Sequence, residues 1–510
     1  MHASSGPSIV IRNVRLISIG SAAVGPGPVD IWVRGGVVAG VGPSLAVPAG
    51  AEAWDGDGRW AIPGLWDGHV HMRQWALDAT RLNLRGTSGP EHVVRIVADH
   101  VAALPVDRAA EVITGFGYRS ATWPRRPTVA ELDAVSGGHP VVLVSGDAHN
   151  GWLNSRALAL LGVPQRATVL DEAEWFEVFG RLGTLPGADA QVERGYRVVL
   201  ARAAAAGVVG VTDMEFGPGF REWPERYARG LDLIRVRTSV YPELLDEAVE
   251  AGLRTGAPLP GGGDQLTMGP LKIIADGSLN TRTAYCDAPY ADAAMLDHPR
   301  GKLNYSPAEL RRLLARARAH GLEAAVHAIG DAAAGIVLDA FEATGASGSI
   351  EHAQLLRWAD IPRMARLGVR AGVHPAHLLD DRDVAEQCWP DRTERCFALR
   401  AMADAGVVLT MGSDAPVSPL DPWLGMAAAV HRSADERAPW HPEQSLTAGE
   451  ALAASTDGQG TLVAGSRGDI VLLDDDPLGA GPDPVEAAER LRRMHVGATF
   501  VAGRPTHMAL

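Results

Sequence analysis

The sequence predicts an α/β protein: a TIM-type eight-stranded (β/α) barrel with an inserted α/β subdomain, plus a small β-sandwich formed by the N- and C-terminal segments. The first observation behind this prediction is a series of eight apolar strand candidates, most of them followed by a helical or loop segment. Strands that alternate with helices build parallel sheets, and eight such units suggest a closed barrel. The second is that both chain ends carry short strands without helical periodicity. The third is a connection after the first barrel strand that is too long for one βα loop.

The terminal segments contain strand candidates that are rich in β-branched residues and separated by glycine and proline. A hairpin turn is predicted at residues 34–37, where two glycines separate two of these strands. Because chain termini commonly lie close together, we expect residues 1–62 and 456–510 to form one composite β-sandwich domain.

The barrel is assigned to residues 63–455, with an insertion at about 83–193 that has its own predicted strand at 140–145. One helix is predicted to begin after Ser306, an N-cap serine followed by proline. Another is predicted over 331–343 from its apolar spacing. A doubly wound open sheet is the alternative to the barrel. The eight strands are predicted to end near His71, Met214, Tyr241, Asp276, Gly330, His352, His374 and Asp414.

Composition excludes several classes of protein. Of the 510 residues, 46 % are hydrophobic and 21 % charged, which allows a large core and disfavours global disorder. The net charge of −14 disfavours nucleic acid or an anionic membrane as the main partner. Three scattered cysteines make no disulfide framework, and the first 20 residues lack a signal-peptide pattern. A cytoplasmic protein is expected.

His69 and His71 begin the candidate active site. Residues two apart on a strand point to the same side, so both imidazoles can converge on one metal ion such as zinc. A lone His-x-His pattern more often has no such role. However, other apolar strands place further groups at the barrel end where active sites lie, namely Lys272, His327, His352 and Asp414.

Lys272 is unusual because a lysine inside an apolar strand is costly unless it is paired or chemically altered. Only Lys272 and Lys302 are lysines among the 47 basic residues, so this chain uses arginine for ordinary positive charge. A carbamate formed from Lys272 and CO2 could bridge two metal ions. We favour this interpretation over an ion pair, and place substrate binding or a Schiff base third.

These residues and several longer motifs resemble the amidohydrolase superfamily, and in particular its N-substituted formamide deformylase-like (YtcJ-like) branch. The resemblance covers nearly the whole chain. The motifs that carry it lie at residues 64–71, 146–155, 272–284, 327–331, 351–354, 412–417 and 465–474.

The resemblance implies a metal-dependent hydrolase that acts on carbon–nitrogen bonds other than peptide bonds. It implies two divalent metal ions, with zinc favoured and manganese, iron or cobalt as alternatives. Lys272, carboxylated by CO2, would bridge the two ions, and a metal-bridging hydroxide would be the nucleophile. Asp414 would be the catalytic residue that carries the proton to the leaving nitrogen. The implied metal ligands are His69, His71, Lys272, His327, His352 and Asp414.

The expected substrate is an N-substituted formamide or another N-acyl compound. The alternatives are hydrolysis of a cyclic amide, lactone or ester at the same site, or a repurposed metal-dependent lyase or isomerase. The chain departs from many relatives at residues 280–281, at 162–168, where a glycine-rich stretch is reduced, and at 373–377, where histidines follow the seventh strand and many relatives carry glutamine. A homodimer is expected. The predicted substrate-binding residues are His149, Trp152, Asp276, Arg282 and His374. The alternatives are a structural histidine (His149), core packing (Trp152), an ion pair (Asp276, Arg282) or a strand cap (His374).

Overall fold

The computed structural model describes residues 8–20, 25, 27–105, 111–120, 123–146, 149–433 and 435–510. Within these residues, strands are numbered β1–β21 and α-helices α1–α16 in chain order. The chain divides into two compact units. The main unit contains Met1–Met72 and Leu200–Leu510, and the second unit contains Arg73–Val199. The predicted insertion at about 83–193 lies within the second unit.

The main unit contains a barrel of eight parallel strands, which confirms the predicted fold class. The strands hydrogen-bond in chain order, and the first and last meet at a parallel bridge between Val70 and Ala415. Each strand ends within three residues of its predicted end. They are β6 (Leu65–Val70), β12 (Val208–Asp213), β13 (Arg235–Val240), β14 (Leu266–Ile274), β15 (Ala324–Ala328), β16 (Gly348–His352), β17 (Arg370–Val373) and β18 (Leu409–Met411).

Helices follow most of the barrel strands. As predicted, α9 begins after Ser306, whose hydroxyl accepts a hydrogen bond from the Glu309 N–H in a capping box. No helix in the described part of the chain is both long and apolar enough to cross a membrane. The helices are α7 (Gly219–Ala228), α8 (Leu245–Glu250), α9 (Pro307–Ala319), α10 (Asp331–Thr344), α11 (Asp360–Leu367), α12 (Leu378–Cys388), α13 (Leu399–Asp404), α14 (Pro422–His431), α15 (Ala448–Ala454) and α16 (Pro484–Arg492).

Strands from both chain ends form a second eight-stranded sheet in the main unit. β1 belongs to both halves of this sheet, because its first part pairs with β2 and β4 and its last part pairs with β5. β5 in turn pairs with β19 near the C-terminus. The strands are β1 (Ser8–Leu16), β2 (Val29–Arg34), β3 (Val37–Gly42), β4 (Glu52–Asp55), β5 (Trp60–Pro63), β19 (Ile470–Leu473), β20 (Val496–Val501) and β21 (Arg504–Met508).

The second unit is built on a five-stranded sheet with the order β11-β10-β9-β8-β7. Strands β7, β8 and β9 are parallel to one another, and β10 returns antiparallel to β9. Its strands are β7 (Leu82–Asn83), β8 (Ile113–Tyr118), β9 (Val141–Ser145), β10 (Asn150–Leu153) and β11 (Leu170–Asp171). Helices within or at the ends of this unit are α1 (Met72–Asp78), α2 (Pro90–Ala103), α3 (Val129–Val135), α4 (Ser155–Leu160), α5 (Glu172–Phe179) and α6 (Ala188–Ala205).

A buried ion pair links the barrel to the terminal sheet. The Arg235 guanidinium on β13 donates to both carboxylate oxygens of Asp469, at 2.7 and 3.1 Å. The two side chains are only 4 % and 2 % exposed. Removing one partner of a buried pair leaves an uncompensated charge.

We expect Asp469→Ala to lower the free energy of unfolding by about 3–5 kcal/mol, measured by denaturant titration. The matched control is Asp264→Ala, because Asp264 contacts the same arginine from a side chain that is 82 % exposed. That variant should cost less than about 1 kcal/mol. Equal effects of the two variants would contradict the buried-pair explanation.

Candidate active site

Ionisable side chains converge at the carboxyl ends of the barrel strands, where barrel active sites lie. Most of these side chains were predicted at this end of the barrel, because each lies at the end of an apolar strand or directly after one. They are His69 and His71 on and after β6, Lys272 on β14, His327 on β15, His352 at the end of β16, His374 after β17, and Asp414 after β18.

Backbone hydrogen bonds fix the first and last strands against each other at this point. The Asp414 N–H donates to the His69 carbonyl at 2.8 Å, and the His71 N–H donates to the Ala415 carbonyl at 2.9 Å. Gly412 permits the close approach of these two strands, because a Cβ at this position would lie 2.8 Å from the backbone nitrogen of His69. Asp414 also has a left-handed backbone, with φ at 57°, a conformation that costs energy and is found at functional sites.

His69, His71 and Asp414 form one group whose ligand atoms all lie within 4.8 Å of one another, as the sequence predicts. An Asp414 oxygen lies 3.3 Å from His71 Nε2 and 3.6 Å from His69 Nε2. His69 Nδ1 lies 2.9 Å from the Glu351 carboxylate, which can only accept, so Nδ1 donates. This hydrogen bond leaves the Nε2 lone pair of His69 available to a metal ion.

Two further groups share residues with the first. His352 and His374 group with His69, and His352 and His377 group with Asp414. His377 was outside the predicted metal ligands, and the sequence indicated only that it faces the pocket or caps a strand end, as for His374. It lies on a short 3-10 turn, Pro375–His377, directly after His374. The groups therefore form one continuous cluster.

Burial favours the neutral form of most of the histidines at this end of the barrel. It lowers the pKa of His69 to about 3 and those of His327 and His374 to about 4, and it also lowers the pKa values of His352 and His377. A neutral imidazole can bind a metal ion without first losing a proton. The nearby imidazoles of His69 and His71 hold the pKa of Asp414 well below its usual range despite burial.

The histidines of this cluster have buried nitrogen atoms without a hydrogen-bond partner in the described part of the chain, and these show whether the cluster fits a divalent metal ion. Four buried imidazole nitrogens lack a hydrogen-bond partner among the described residues, and such atoms are costly unless something binds them. Imidazole nitrogens with a carboxylate are ligands that zinc and similar ions prefer. The residues therefore fit the implied metal. The four atoms are Nδ1 of His71 and His352 and Nε2 of His374 and His377.

Lys272 lies inside this cluster. Its side chain is buried, and Nζ lies 3.3 Å from His69 Nε2. Among the described residues no carboxylate pairs directly with Nζ, although the charges of Glu351 and Asp414 lie near enough to favour its protonated form. Burial lowers the pKa of Lys272 to about 8, which increases the fraction of neutral amine at neutral pH.

His327 is the one predicted histidine ligand that the structure leaves outside these groups. Its ring centroid lies 4.4 Å from that of His352. However, its Nε2 donates to the Gly277 carbonyl at 3.1 Å and lies 3.5 Å from an Asp276 oxygen. A ligand role for His327 stays a prediction.

Asp276 and Arg282 stabilise the loops around the site. The Asp276 carboxylate is fully buried and accepts hydrogen bonds from the backbone N–H groups of Tyr285, Ile329 and Gly330. Burial raises the pKa of Asp276 to about 7. The Arg282 side chain pairs with Asp292 at 2.7 Å. The structure favours the supporting interpretation over substrate contact for both residues.

His149 and Trp152 belong to the second unit, and residues 147 and 148 of the same motif lie outside the described residues. His149 is exposed, and its role in substrate binding stays a prediction. Trp152 is corrected to a packing role, because its ring is fully buried against Tyr118 and Trp123. Its Nε1 donates to the Thr128 carbonyl at 2.8 Å.

Comparison with known proteins agrees with this geometry. Residues 52–507 match the Amidohydrolase family. The N-substituted formamide deformylase of Arthrobacter pascens is 26 % identical, over 93 % of this chain and 94 % of its own. The putative amidohydrolase YtcJ of Bacillus subtilis (strain 168) is 25 % identical, over 84 % of this chain and 86 % of its own.

A solved structure has the same architecture. The crystal structure of an uncharacterized metal-dependent hydrolase from Pyrococcus horikoshii OT3 superposes with a TM-score of 0.77 and 26 % identity, over 92 % of this chain and 98 % of the other. The resemblance predicted from the motifs, including the branch, is confirmed by the family match and the two relatives. The chain therefore belongs to the amidohydrolase family, and it is a metal-dependent hydrolase of carbon–nitrogen bonds.

Proposed function

We propose that this protein hydrolyses the C–N bond of an N-substituted formamide or another small N-acyl compound. The observation that carries the proposal is the group of His69, His71 and Asp414 at the mouth of the barrel. This group puts a carboxylate beside two imidazoles, a set of ligands suited to metal-assisted hydrolysis. The similarity to the Arthrobacter formamide deformylase supports the choice of substrate class.

The chemistry divides between the cofactors and the chain. Two divalent ions, with zinc favoured over manganese, iron or cobalt, would activate a water molecule and polarise the substrate carbonyl. Asp414 takes a proton from the attacking water and returns it to the leaving nitrogen. Glu351 accepts the Nδ1 proton of His69 and so fixes the orientation of that ring.

We also propose that Lys272 is carboxylated. The neutral Nζ attacks the carbon of CO2 and loses a proton, which gives a carbamate with two oxygen atoms and one negative charge. Support comes from the buried position of Nζ, its contact with His69 and the lowered pKa of the amine. Such a group would bridge the two ions.

A substrate panel tests the reaction. Enzyme loaded with zinc or manganese in bicarbonate should release formate and amine from N-formyl compounds faster than it cleaves a lactone, ester or cyclic amide of similar size. N-acetyl derivatives of the same amines measure how strictly the formyl group is required. Preferred turnover of the lactone or cyclic amide would replace the proposed substrate class. Product formation without incorporation of oxygen from labelled water would indicate a lyase or isomerase.

Metal removal gives the matched control. Dialysis against a chelator should abolish turnover, and one metal at a time can then be added back with bicarbonate. Recovery identifies the working ion, because imidazole and carboxylate ligands accept several divalent metals. Full activity in the metal-free protein would contradict the proposal.

A cytoplasmic homodimer completes the proposal. The three cysteines are unpaired and buried, which suits a reducing compartment. Two-fold dimers are the commonest soluble assemblies.

A further inference from the structure

We propose that His374 binds the metal centre through Nε2, as a ligand on the seventh barrel strand. The resemblance does not provide this ligand, because the metal ligands that it implies come from the first, fourth, fifth, sixth and eighth barrel strands. The inference rests on the proposed metal-dependent function and identifies one further residue of that site.

The position of His374 is that of a ligand. It follows β17 directly and is 1 % exposed. Its ring centroid lies 4.9 Å from that of His69 and 4.6 Å from that of His352. One ligand atom of each of these three residues lies within 4.8 Å of the other two. The imidazole is thus enclosed by candidate ligands.

The hydrogen bonds of His374 determine which ring nitrogen is available. Nδ1 lies 3.0 Å from the Gly412 carbonyl oxygen, which can only accept, so Nδ1 carries the proton. Nε2 therefore has a free lone pair, and it is buried without a hydrogen-bond partner among the described residues. Metal-binding histidines commonly donate the other ring N–H to a backbone carbonyl or a carboxylate. His69 makes the carboxylate version of this contact through Glu351.

His374 adds to the histidines that the resemblance implies for the second ion, His327 and His352. The ring centroids of His327 and His374 lie 4.4 and 4.6 Å from that of His352. Nε2 of His327 donates to the Gly277 carbonyl, which leaves its Nδ1 lone pair available, just as the bond to Gly412 leaves Nε2 of His374. An imidazole nitrogen is also a better zinc ligand than the amide oxygen that glutamine would offer.

The test is the metal binding of His374→Gln, which keeps a polar side chain but removes the imidazole. We expect the variant either to hold one ion fewer per chain, by mass spectrometry of the metal, or to bind it more than about 100-fold more weakly, since removal of an outer hydrogen-bond partner alone costs up to that much. The cobalt-loaded variant should have an altered visible absorption spectrum. His320→Gln is the control, because His320 lies exposed at the end of α9.

Unchanged metal content, affinity and cobalt spectrum in His374→Gln would overturn the inference, and a raised KM alone would then assign His374 to the substrate. If the glutamine variant does not fold, His374→Ala with added imidazole serves the same purpose. Restored metal affinity on adding imidazole supports the ligand role, and its absence contradicts it. Metal binding is read separately from turnover. A wild-type protein that binds metal but cleaves no N-acyl compound would therefore refute the proposed substrate and leave this inference standing.

Discussion

Asp414→Asn is expected to lower kcat by about 10²–10⁴-fold, the usual contribution of a positioned proton carrier. Asparagine keeps the shape of the side chain but cannot take a proton from water or return it to nitrogen. The backbone at this position is held by the bond from the Asp414 N–H to the His69 carbonyl, which the substitution leaves in place. We therefore expect the fold to persist, as measured by circular dichroism and thermal unfolding.

Turnover of the Asp414 variant should be expressed per bound metal ion, because Asp414 also belongs to the candidate ligand group. The control is Asp404→Asn, which changes a carboxylate that is 67 % exposed at the end of α13. It should have wild-type kcat. A fully metal-loaded Asp414→Asn enzyme with kcat within about tenfold of wild type would remove Asp414 as the proton carrier.

Lys272→Ala is expected to have a comparably large effect, through loss of the group that would bridge the metal ions. We expect fewer bound ions per chain and a fall in kcat of at least about 10²-fold, the loss associated with one strong electrostatic contact in an active site. Growth or incubation with ¹³C-labelled bicarbonate should produce a carbamate resonance in the wild-type protein. That resonance should be absent from the variant.

The chain has only two lysines, so the carbamate resonance can be assigned with a single control variant. Lys302 is the only other lysine and is exposed, so Lys302→Ala should keep the carbamate resonance, the metal content and the activity. A small carboxylic acid such as formate could replace the missing oxygen atoms and restore part of the metal binding in Lys272→Ala. One tightly bound ion beside an unmodified Lys272 would contradict the bridged centre.

The barrel was predictable because its signal is local. Each strand is an apolar run, and each predicted helix has its own periodicity or cap, as at Ser306. The carboxyl ends of parallel strands meet at one end of a barrel, so residues that end different strands could be assigned to one site before any contact was known. In the structure, His69, His71 and Asp414 lie together at that end.

The supporting contacts of the site could not be predicted in the same way. Glu351 lies 282 residues from His69 in sequence, and their hydrogen bond depends on the curvature that brings β16 opposite β6. Asp67 likewise accepts hydrogen bonds from the N–H groups of both His69 and Ser413, because the first and last strands close the barrel there. No periodicity or motif spacing records such long-range pairings.

Sequence alone determined the fold class, the family resemblance and the types of ligand, because these depend on apolar patterning and on short motifs at strand ends. Only the tertiary structure decided what each side chain does. Trp152 lies in a motif but packs in a core, whereas His377 lay outside the predicted ligands but joins the cluster. His374 changed from a substrate candidate to a ligand candidate once its Nδ1 was seen bonded to the Gly412 carbonyl. The physical reason is that patterning reports which face of an element is buried, while chemical roles depend on distances between atoms far apart in sequence.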